Sequence, residues 1–255
     1  MANARETIGI IGLGAFGRFM VKHLSPWFDL LGYDKSMPSP ELLAREGGGK
    51  LRPASLPETA GCDAVIFAVP LDALAAAAAA AARHMRPGIL AMDVTSVKTR
   101  PVEILSRLLP ETVDIFCTHP LFGPQSGKNG ISGLRIALCP VRIGKERYHR
   151  VFDFLTDKLR LLALKTSPES HDREMAKIQA VTHFMSRVLN EVGLEPSPMA
   201  TRAYEKLQEF SSIVLSDSWD LFLTIQKGNP YAAEIRKRLR EEMDKLERRL
   251  GENGS

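Results

Sequence analysis

The sequence predicts an α/β fold in which an N-terminal, doubly wound parallel sheet is followed by an all-helical C-terminal domain. Short buried-strand patterns alternate with helical patterns from Ile8 to about Leu164, which is typical of a parallel sheet covered on both faces. From Ser167 onward the apolar residues recur with the period of long helices. We therefore predict two domains, residues 1–166 and residues 167–255.

Composition excludes several classes of protein. The net charge of +4 is mild and the basic residues form no patch with interleaved aromatics, so we predict no nucleic-acid partner. No apolar run reaches membrane-spanning length, and the tract Ala75–Ala82 is a strong helix former. The start of the chain has no signal-peptide pattern, and three cysteines without CxxC spacing indicate reduced thiols and no metal site. These observations favour a cytoplasmic protein that acts on a small, anionic molecule.

A glycine motif lies directly between the first strand and the first helix. Gly12, Gly14 and Gly17 follow the strand Ile8–Ile11 and precede the helix Arg18–Leu24, which is the context that G-x-G-x-x-G requires for dinucleotide binding. Gly12 suits a tight turn, Gly14 a close approach by a pyrophosphate and Gly17 the packing of helix on strand. The alternative is a glycine-rich turn without a ligand. We predict that residues 1–166 bind a dinucleotide.

An acidic residue follows the second predicted strand. Asp34 stands about 20 residues after the glycines, where a carboxylate bonds the ribose hydroxyls of NAD and repels the 2′-phosphate of NADP. The alternative is a solvated turn carboxylate. NAD is therefore the predicted cofactor, with NADP as a possible second. The other residues assigned to this site are Phe16, Lys35, Ser36, Val69 and Pro70.

A loop with one histidine follows a later buried strand, Val113–Cys117. The loop, Cys117–Gly127, holds His119 among two prolines and two glycines, which indicates a rigid shape. Ligands of open α/β sheets bind beyond the carboxyl ends of the strands, and histidine transfers protons near neutral pH. The alternative is a tight turn in which His119 only caps backbone groups.

The C-terminal domain is predicted to consist of helices. Gln179 and His183 share one face of the first of them by i,i+4 spacing. The alternative is a helix-packing pair without a function. The predicted helices are His171–Glu191, Pro198–Leu215, Ser216–Lys227 and Tyr231–Leu250.

Three segments together resemble one enzyme family. Asp93–Lys98, Thr118–Gly127, and His171-Asp172 with Gln179 and His183 resemble the prephenate/arogenate dehydrogenases of tyrosine biosynthesis, most of all the plant-type arogenate dehydrogenases. The resemblance runs from Ile8 to about Phe222. It implies a Rossmann-type N-terminal domain and a helical domain that binds substrate and forms a homodimer. We expect neither a fused mutase domain nor a C-terminal regulatory domain.

The resemblance also implies a reaction. Hydride leaves the ring carbon that bears the hydroxyl group, carbon dioxide leaves the opposite ring carbon, and the ring becomes aromatic. His119 matches the catalytic histidine and has to be neutral to act as a base, while Ser96 matches a serine that orients His119 and the nicotinamide. The residues assigned to substrate binding are Gln125, Gln179, His183, Thr201 and Asp217.

Asp217 bears on the choice of substrate. By resemblance it falls where plant-type enzymes carry an acidic residue when they prefer arogenate and a neutral residue when they use prephenate. A carboxylate pairs with the ammonium group of arogenate and is a poor neighbour for the ketone of prephenate. The alternative is that Asp217 faces solvent or caps the helix from Ser218 onward.

Several alternatives stay open. One alternative is an enzyme that uses prephenate or both substrates. The others are a β-hydroxyacid or imine dehydrogenase that relies on Lys177, and a non-catalytic NAD sensor. Plant-type enzymes often have a neutral residue in place of Asp34 and prefer NADP, so Asp34 departs from that pattern. Arg202 and Arg236 are candidates for binding a substrate carboxylate on charge alone.

Overall fold

The computed structural model describes residues 5–47 and 50–252. The chain divides into two compact units, Met1–Pro168 and Glu169–Ser255. The first unit holds one eight-stranded sheet with the order β3-β2-β1-β4-β5-β6-β7-β8. The strands are β1 (Thr7–Ile11), β2 (Asp29–Tyr33), β3 (Leu51–Pro53), β4 (Ala64–Phe67), β5 (Leu90–Asp93), β6 (Asp114–Pro120), β7 (Arg135–Arg142) and β8 (Leu162–Lys165).

Six helices of the first unit connect these strands. The chain runs from β1 outward through β2 to β3, then crosses to β4 on the other side of β1 and continues through β5 to β6. The helices of these crossovers cover both faces of the sheet, which confirms the predicted Rossmann-type fold. The helices are α1 (Ala15–Leu24), α2 (Pro40–Gly47), α3 (Leu56–Ala60), α4 (Leu71–Ala82), α5 (Thr99–Leu108) and α6 (Lys145–Asp153), and α6 continues into a π-helical turn, Phe154–Lys158.

One pair of strands departs from the parallel pattern. β7 pairs with β6 in the antiparallel sense, whereas every other neighbouring pair in the sheet is parallel. A parallel return requires a crossover, usually a helix. Residues 121–134 form turns and irregular backbone and no helix, so the chain folds back beside β6.

The strands alternate their side chains between two cores. Val65 and Phe67 of β4 pack into the cluster that α4 and α5 cover, whereas Ile66 packs with α1 on the other face. Leu74 and Ala78 lie on the buried side of α4. The alanine tract is therefore a surface-packed helix, and among residues 5–47 and 50–252 no helix is both long and apolar enough to cross a membrane.

The second unit is helical. Its helices are α7 (Pro168–Met175, which starts at the unit boundary), α8 (Val181–Val192), α9 (Arg202–Leu215), α10 (Trp219–Leu223) and α11 (Ala232–Glu252), with π-helical turns at Ala176–Ala180 and Thr224–Gly228. Two predicted helix starts were wrong. α9 begins four residues after Pro198 and α10 three residues after Ser216, because the side chains of Thr201 and Ser218 accept hydrogen bonds from Tyr204 N and Leu221 N as N-caps.

Candidate active site

The glycine motif lies at the carboxyl edge of the sheet, at the end of strand β1. Gly12 has φ +103°, donates from its backbone N to Tyr33 O over 2.9 Å, and has no room for a side chain beside Ala68 O. A Cβ at Gly17 would lie 2.0 Å from Gly12 O. These two positions therefore require glycine for local packing.

Gly14 has a different environment. A Cβ there would meet no atom within 4 Å, so the loop leaves open space above this residue. Gly14 is also the N-cap of α1 and supplies no side-chain hydrogen bond to the first backbone N–H groups of the helix. Free N–H groups at a helix N-terminus attract a phosphate, so the loop fits the pyrophosphate of a dinucleotide.

Asp34 follows β2 and holds the same loop. Its Oδ2 accepts from Leu13 N over 2.6 Å and its Oδ1 accepts from Ser36 N over 2.9 Å. The carboxylate is half-exposed and each oxygen retains acceptor capacity for a hydroxyl group. The geometry therefore favours the interpretation of Asp34 as a group that binds a ribose beside the glycine loop over that of a freely solvated turn carboxylate.

The remaining residues assigned to the cofactor lie at two places. Val69 and Pro70 follow β4, and a Cβ at Gly12 would come within 2.9 Å of Val69 Cγ1, so this turn borders the glycine loop. Lys35 and Ser36 are exposed after Asp34. Phe16 instead lines an apolar cavity beside α1.

His119 lies inside a strand and not in a loop. The predicted strand end at Cys117 was wrong, because β6 extends to Pro120 and pairs His119 with Ala137 of β7. The side chain of His119 is buried, with 3 % of its surface exposed. The strand therefore fixes the backbone of His119 at the carboxyl edge of the sheet.

Ser96 lies in the loop that follows the neighbouring strand, β5. That strand ends at Asp93, which is paired with Cys117, so the loop and His119 occupy the same edge of the sheet. Ser96 is partly exposed. Both predicted catalytic side chains of the first unit are thus carried by adjacent strands.

A buried ion pair holds this loop, and the sequence reasoning assigned no role to it. Lys98 Nζ contacts Asp93 Oδ2 at 2.6 Å, and neither side chain has any exposed surface. Lys98 Nζ also donates to Thr118 O, next to His119. Asp93 Oδ2 accepts from Thr95 N and Thr95 Oγ1 over 2.9 and 2.6 Å. Lys98 therefore connects the Ser96 loop to the strand of His119.

The segment after His119 forms compact turns. Gly127 N donates to Gly123 O and Gly123 N to Ser126 Oγ, each over 2.9 Å. A Cβ at Gly127 would lie 2.6 Å from Phe19, so the turns pack on α1. Gln125 is exposed at their tip.

Cys117 is a structural residue of the same strand. It is fully buried, and burial first, then the charge of Asp93, raises the pKa of its thiol well above the usual value. A protonated thiol is a poor nucleophile. The structure therefore agrees with the interpretation of Cys117 as a small apolar residue, and all three cysteines are free and buried.

Gln179 lies in the π-helical turn between α7 and α8. A regular α-helix would place Gln179 and His183 on one face by i,i+4 spacing, whereas this turn ends at Ala180 and changes the rotation between the two positions. Gln179 Oε1 is buried and has no hydrogen-bond partner among the described residues. A buried amide oxygen of this kind is open to a ligand donor.

His183 on α8 and Asp217 before α10 face each other within the second unit. His183 Nε2 lies 3.7 Å from Asp217 Oδ2; the imidazole is buried, while the Asp217 side chain is 38 % exposed. Ser218, and not Asp217, caps α10, so the capping alternative for Asp217 was wrong. The carboxylate accepts no hydrogen bond from any side chain in the described parts of the chain.

Arg187 holds the segment that carries Asp217, and the sequence reasoning missed it. Its Nη2 donates to Asp217 O over 3.2 Å. Its guanidinium carbon lies 5.3 Å from the ring centroid of Trp219 and 5.5 Å from that of Phe222, two rings that stack on each other. The four-residue spacing from His183 to Arg187, about one helical turn, was the sequence signal that could have identified Arg187.

Burial shifts the pKa values of both titratable groups of this pair towards their neutral forms. Burial, and then the charge of Arg187, lowers the pKa of His183 to about 4. Burial raises the pKa of Asp217, and Arg187 opposes that change. The contact of 3.7 Å is therefore not an ion pair at pH 7, because the imidazole is neutral there. A neutral His183 leaves the Asp217 carboxylate available to a cation from elsewhere.

This arrangement predicts a pH dependence. We expect Arg187→Met to raise the pKa of His183 above 4 but to leave it below 6.5, because the burial that is the larger cause remains. The measurement is an NMR titration of the imidazole, and an unchanged pKa would contradict a role for the Arg187 charge.

The lowered pKa also makes the stability of the wild type depend on pH. The pKa of His183 is 6.5 in the unfolded chain and about 4 in the folded protein, so its contribution to stability is complete above pH 6.5. About 3 kcal/mol of the free energy of unfolding is lost as the pH falls from 6.5 to 4.

The other candidates of the second unit lie at the start of α9, in the π-helical turn Ala176–Ala180 and on α11. Thr201 is exposed and caps α9, and Arg202 is the exposed first residue of that helix. Lys177 is exposed in the π-helical turn. Arg236 donates to Gln226 O and Gln226 Oε1 over 2.9 and 2.8 Å, so its guanidinium is engaged within the unit.

Two family models match the chain. Residues 20–158, more than half of the sequence, match the model described as prephenate dehydrogenase, nucleotide-binding domain. The chain belongs to the prephenate dehydrogenase family. Residues 188–254 match the model described as TYRAAT1-like, C-terminal domain. The match over residues 20–158 confirms the resemblance inferred from the motifs.

Curated relatives of this family member carry related names. Arogenate dehydrogenase 2, chloroplastic, of Arabidopsis thaliana is 39 % identical over 165 residues, which cover 62 % of this chain and 45 % of the relative. A probable arogenate/prephenate dehydrogenase of Methanocaldococcus jannaschii is 29 % identical over 248 residues, 92 % of this chain and 54 % of the relative. The chain thus spans about half the length of these two relatives.

Solved structures of the family share the fold. Synechocystis arogenate dehydrogenase superposes with a TM-score of 0.71 at 18 % identity, covering 97 % of this chain and 92 % of that one. Prephenate dehydrogenase from A. aeolicus in complex with hydroxyphenyl propionate and NAD+ has a TM-score of 0.73 at 18 % identity, covering 99 % and 94 %. At this level of identity the likeness concerns the fold.

Proposed function

We propose that this protein oxidatively decarboxylates arogenate to tyrosine and transfers a hydride to NAD. Membership of the prephenate dehydrogenase family supports the reaction class. One observation carries the choice of arogenate: the Asp217 carboxylate is half-buried beside a neutral His183, without a hydrogen-bonded side-chain partner among the described residues. The ammonium group of arogenate would pair with the Asp217 carboxylate. Prephenate has a ketone beside its own carboxylate at the same place, which would leave Asp217 unpaired.

The first unit is proposed to bind the dinucleotide. The open space at Gly14 and the uncapped N-terminus of α1 suit the pyrophosphate, and Asp34 suits a ribose with two free hydroxyl groups. NAD accepts the hydride when it is bound. A 2′-phosphate would place negative charge against Asp34, so we propose NAD as the main cofactor, with NADP used less well.

The chain's own residues then have distinct roles in the reaction. His119 takes the proton of the ring hydroxyl as the hydride departs, and the C–C bond to the ring carboxylate breaks to release carbon dioxide. The strand position of His119 keeps the imidazole oriented, and Ser96 is proposed to orient it further. In the second unit, Asp217 pairs with the ammonium group, while Gln179 and His183 supply neutral hydrogen-bonding groups.

The test is the initial rate of reduced-cofactor formation with arogenate and with prephenate, each with NAD and NADP. We expect the wild type to prefer arogenate and NAD. Asp217→Asn should lower kcat/KM for arogenate by about 10–100-fold, the value of a charge-assisted hydrogen bond, and leave that for prephenate unchanged or higher. Asp220→Asn, an exposed carboxylate on α10, is the matched control and should change neither rate.

Each other outcome has a definite meaning. If the wild type prefers prephenate, the prephenate dehydrogenase alternative replaces arogenate. If Asp217→Asn affects both substrates equally, Asp217 does not read the ammonium group. If neither substrate reacts with either cofactor, the proposed function is wrong, and the imine dehydrogenase or NAD-sensor alternative takes its place.

The second unit is also proposed to form a homodimer. It exposes large apolar side chains whose burial would stabilise an interface: Ile178, Val192, Met199, Ile213, Trp219, Met243, Leu246 and Leu250. Sedimentation equilibrium of the full chain tests this proposal, and a monomer at micromolar concentration would contradict it.

A further inference from the structure

The first unit contains an apolar cavity whose lining shares one residue, Phe16, with those assigned to the cofactor, the substrate or catalysis. Its volume is about 350 Å³, within the range of small-molecule pockets. It lies between α1, the sheet and the segment of α6 with its π-helical turn, on the face opposite α4 and α5. Residues of β1, β4, β5, β6 and β7 form its floor, all within the first unit.

The lining of this cavity includes exposed residues at the edge of the sheet opposite the glycine loop. Its exposed lining residues include Glu6, directly before β1, and Asp63, directly before β4, both at the amino edge of the sheet. Gly14 lies beyond the carboxyl end of β1. A molecule in this cavity would therefore enter from a different side than a dinucleotide at the glycine loop.

The walls are aromatic. Phe16, Phe19, Phe28, Phe122 and Phe154 all line the cavity. Phe28 and Phe154 meet edge to face, with 4.9 Å between their ring centroids. This part of the wall therefore offers both a ring face and a ring edge against which the aromatic ring of a ligand can pack. A flat aromatic guest is better suited to these walls than a polar one.

One polar group in the lining lacks a partner. His23 Nε2 is buried and has no hydrogen-bond partner in the described parts of the chain, and its imidazole packs edge to face on Phe19 at 4.7 Å. A buried imidazole nitrogen without a partner is costly. A hydroxyl group both donates and accepts, so it satisfies this nitrogen in either tautomer of the ring.

We propose that this cavity is a second binding site for a small aromatic molecule that carries a hydroxyl group. The ring of the ligand packs among Phe19, Phe28 and Phe154, and its hydroxyl group bonds to His23 Nε2. The chemical class is that of phenols, and the inference does not depend on the proposed dehydrogenase activity.

The test uses the full chain labelled with ¹³C at the methionine methyl groups, titrated with phenol. Met20 and Met92 line the cavity, whereas Met199 and Met243 lie exposed on the second unit and serve as internal controls. Phenol should shift the signals of Met20 and Met92 saturably and leave those of Met199 and Met243 unchanged. Saturating NAD should not reverse these shifts.

Two variants separate polar recognition from simple filling of a void. His23→Phe keeps an aromatic ring but removes the nitrogen, so phenol should bind about three- to tenfold more weakly, while benzene binds as before. Ala64→Leu places a larger side chain in the lining and should weaken both ligands. Their methyl spectra also report whether each variant is folded.

Several results would overturn the proposal. The absence of saturable shifts at Met20 and Met92 would exclude the cavity as a site. Equal affinity for phenol and benzene, unchanged in His23→Phe, would exclude recognition of the hydroxyl group. Displacement of phenol by NAD would assign the binding to the cofactor site.

Discussion

Replacing His119 with asparagine should lower kcat for arogenate by about 10²–10⁴-fold, the contribution of a positioned general base. Asparagine keeps a polar group in this buried strand position but cannot take a proton at neutral pH. Steady-state kinetics measure the loss. The acid side of the pH–rate profile, which reports protonation of the base, should disappear in the variant.

The control for this prediction is His84→Asn. His84 is an exposed histidine after α4 in the same unit, so its replacement should leave kcat unchanged. The affinity of the His119 variant for NAD, measured by fluorescence, should also equal that of the wild type. Activity of His119→Asn within a few-fold of the wild type would refute the role of His119 as the catalytic base.

Replacing Lys98 with methionine should lower the free energy of unfolding by about 3–5 kcal/mol. The substitution leaves the Asp93 carboxylate without its cation in a site with no exposed surface. It also removes the bond from Lys98 Nζ to Thr118 O, which connects the Ser96 loop to the strand of His119. We therefore expect kcat to fall as well, at a temperature where the variant is fully folded.

An exposed ion pair of the same length is the matched control. Arg86 Nη2 lies 2.6 Å from Asp63 Oδ1, with the two side chains 61 % and 45 % exposed. Arg86→Met should cost less than about 1 kcal/mol, because water screens this pair. Urea denaturation measures both variants, and similar losses would show that burial of the Lys98–Asp93 pair does not set its contribution.

A double variant separates the charge of Lys98 from its packing. Lys98→Met combined with Asp93→Asn removes both charges, so it should recover part of the stability that Lys98→Met loses. If the double variant is less stable than the wild type by the sum of the losses of Lys98→Met and Asp93→Asn, the two residues are not coupled.

The local patterns of the chain were sufficient to predict the fold class and the part of the candidate site that lies in the first unit. A strand has period two and a helix period 3.6, so their alternation along the sequence indicated the sheet and its covering helices. The glycine motif required a tight turn at Gly12 and close packing at Gly17, and both are present. The motif with His119 indicated the family, which the match over residues 20–158 confirms.

Helix and strand ends were less predictable because hydrogen bonds of single residues decide them. β6 runs on to Pro120 because β7 folds back beside it, which a strand pattern read along the chain cannot reveal. α9 and α10 start at the residues that Thr201 and Ser218 cap. Gln179 lies in a π-helical turn that helical periodicity does not distinguish from an α-helix.

By itself the sequence determined the two-part architecture, the glycine loop with Asp34, and His119 at the carboxyl edge of the sheet, because each depends on neighbours along the chain. Only the tertiary structure decided which charges are buried and which groups meet. Lys98 and Asp93 would be a solvated loop pair without the sheet that encloses them. His183 and Asp217 meet across 34 residues because α8 and the start of α10 pack together, and burial then sets their pKa values.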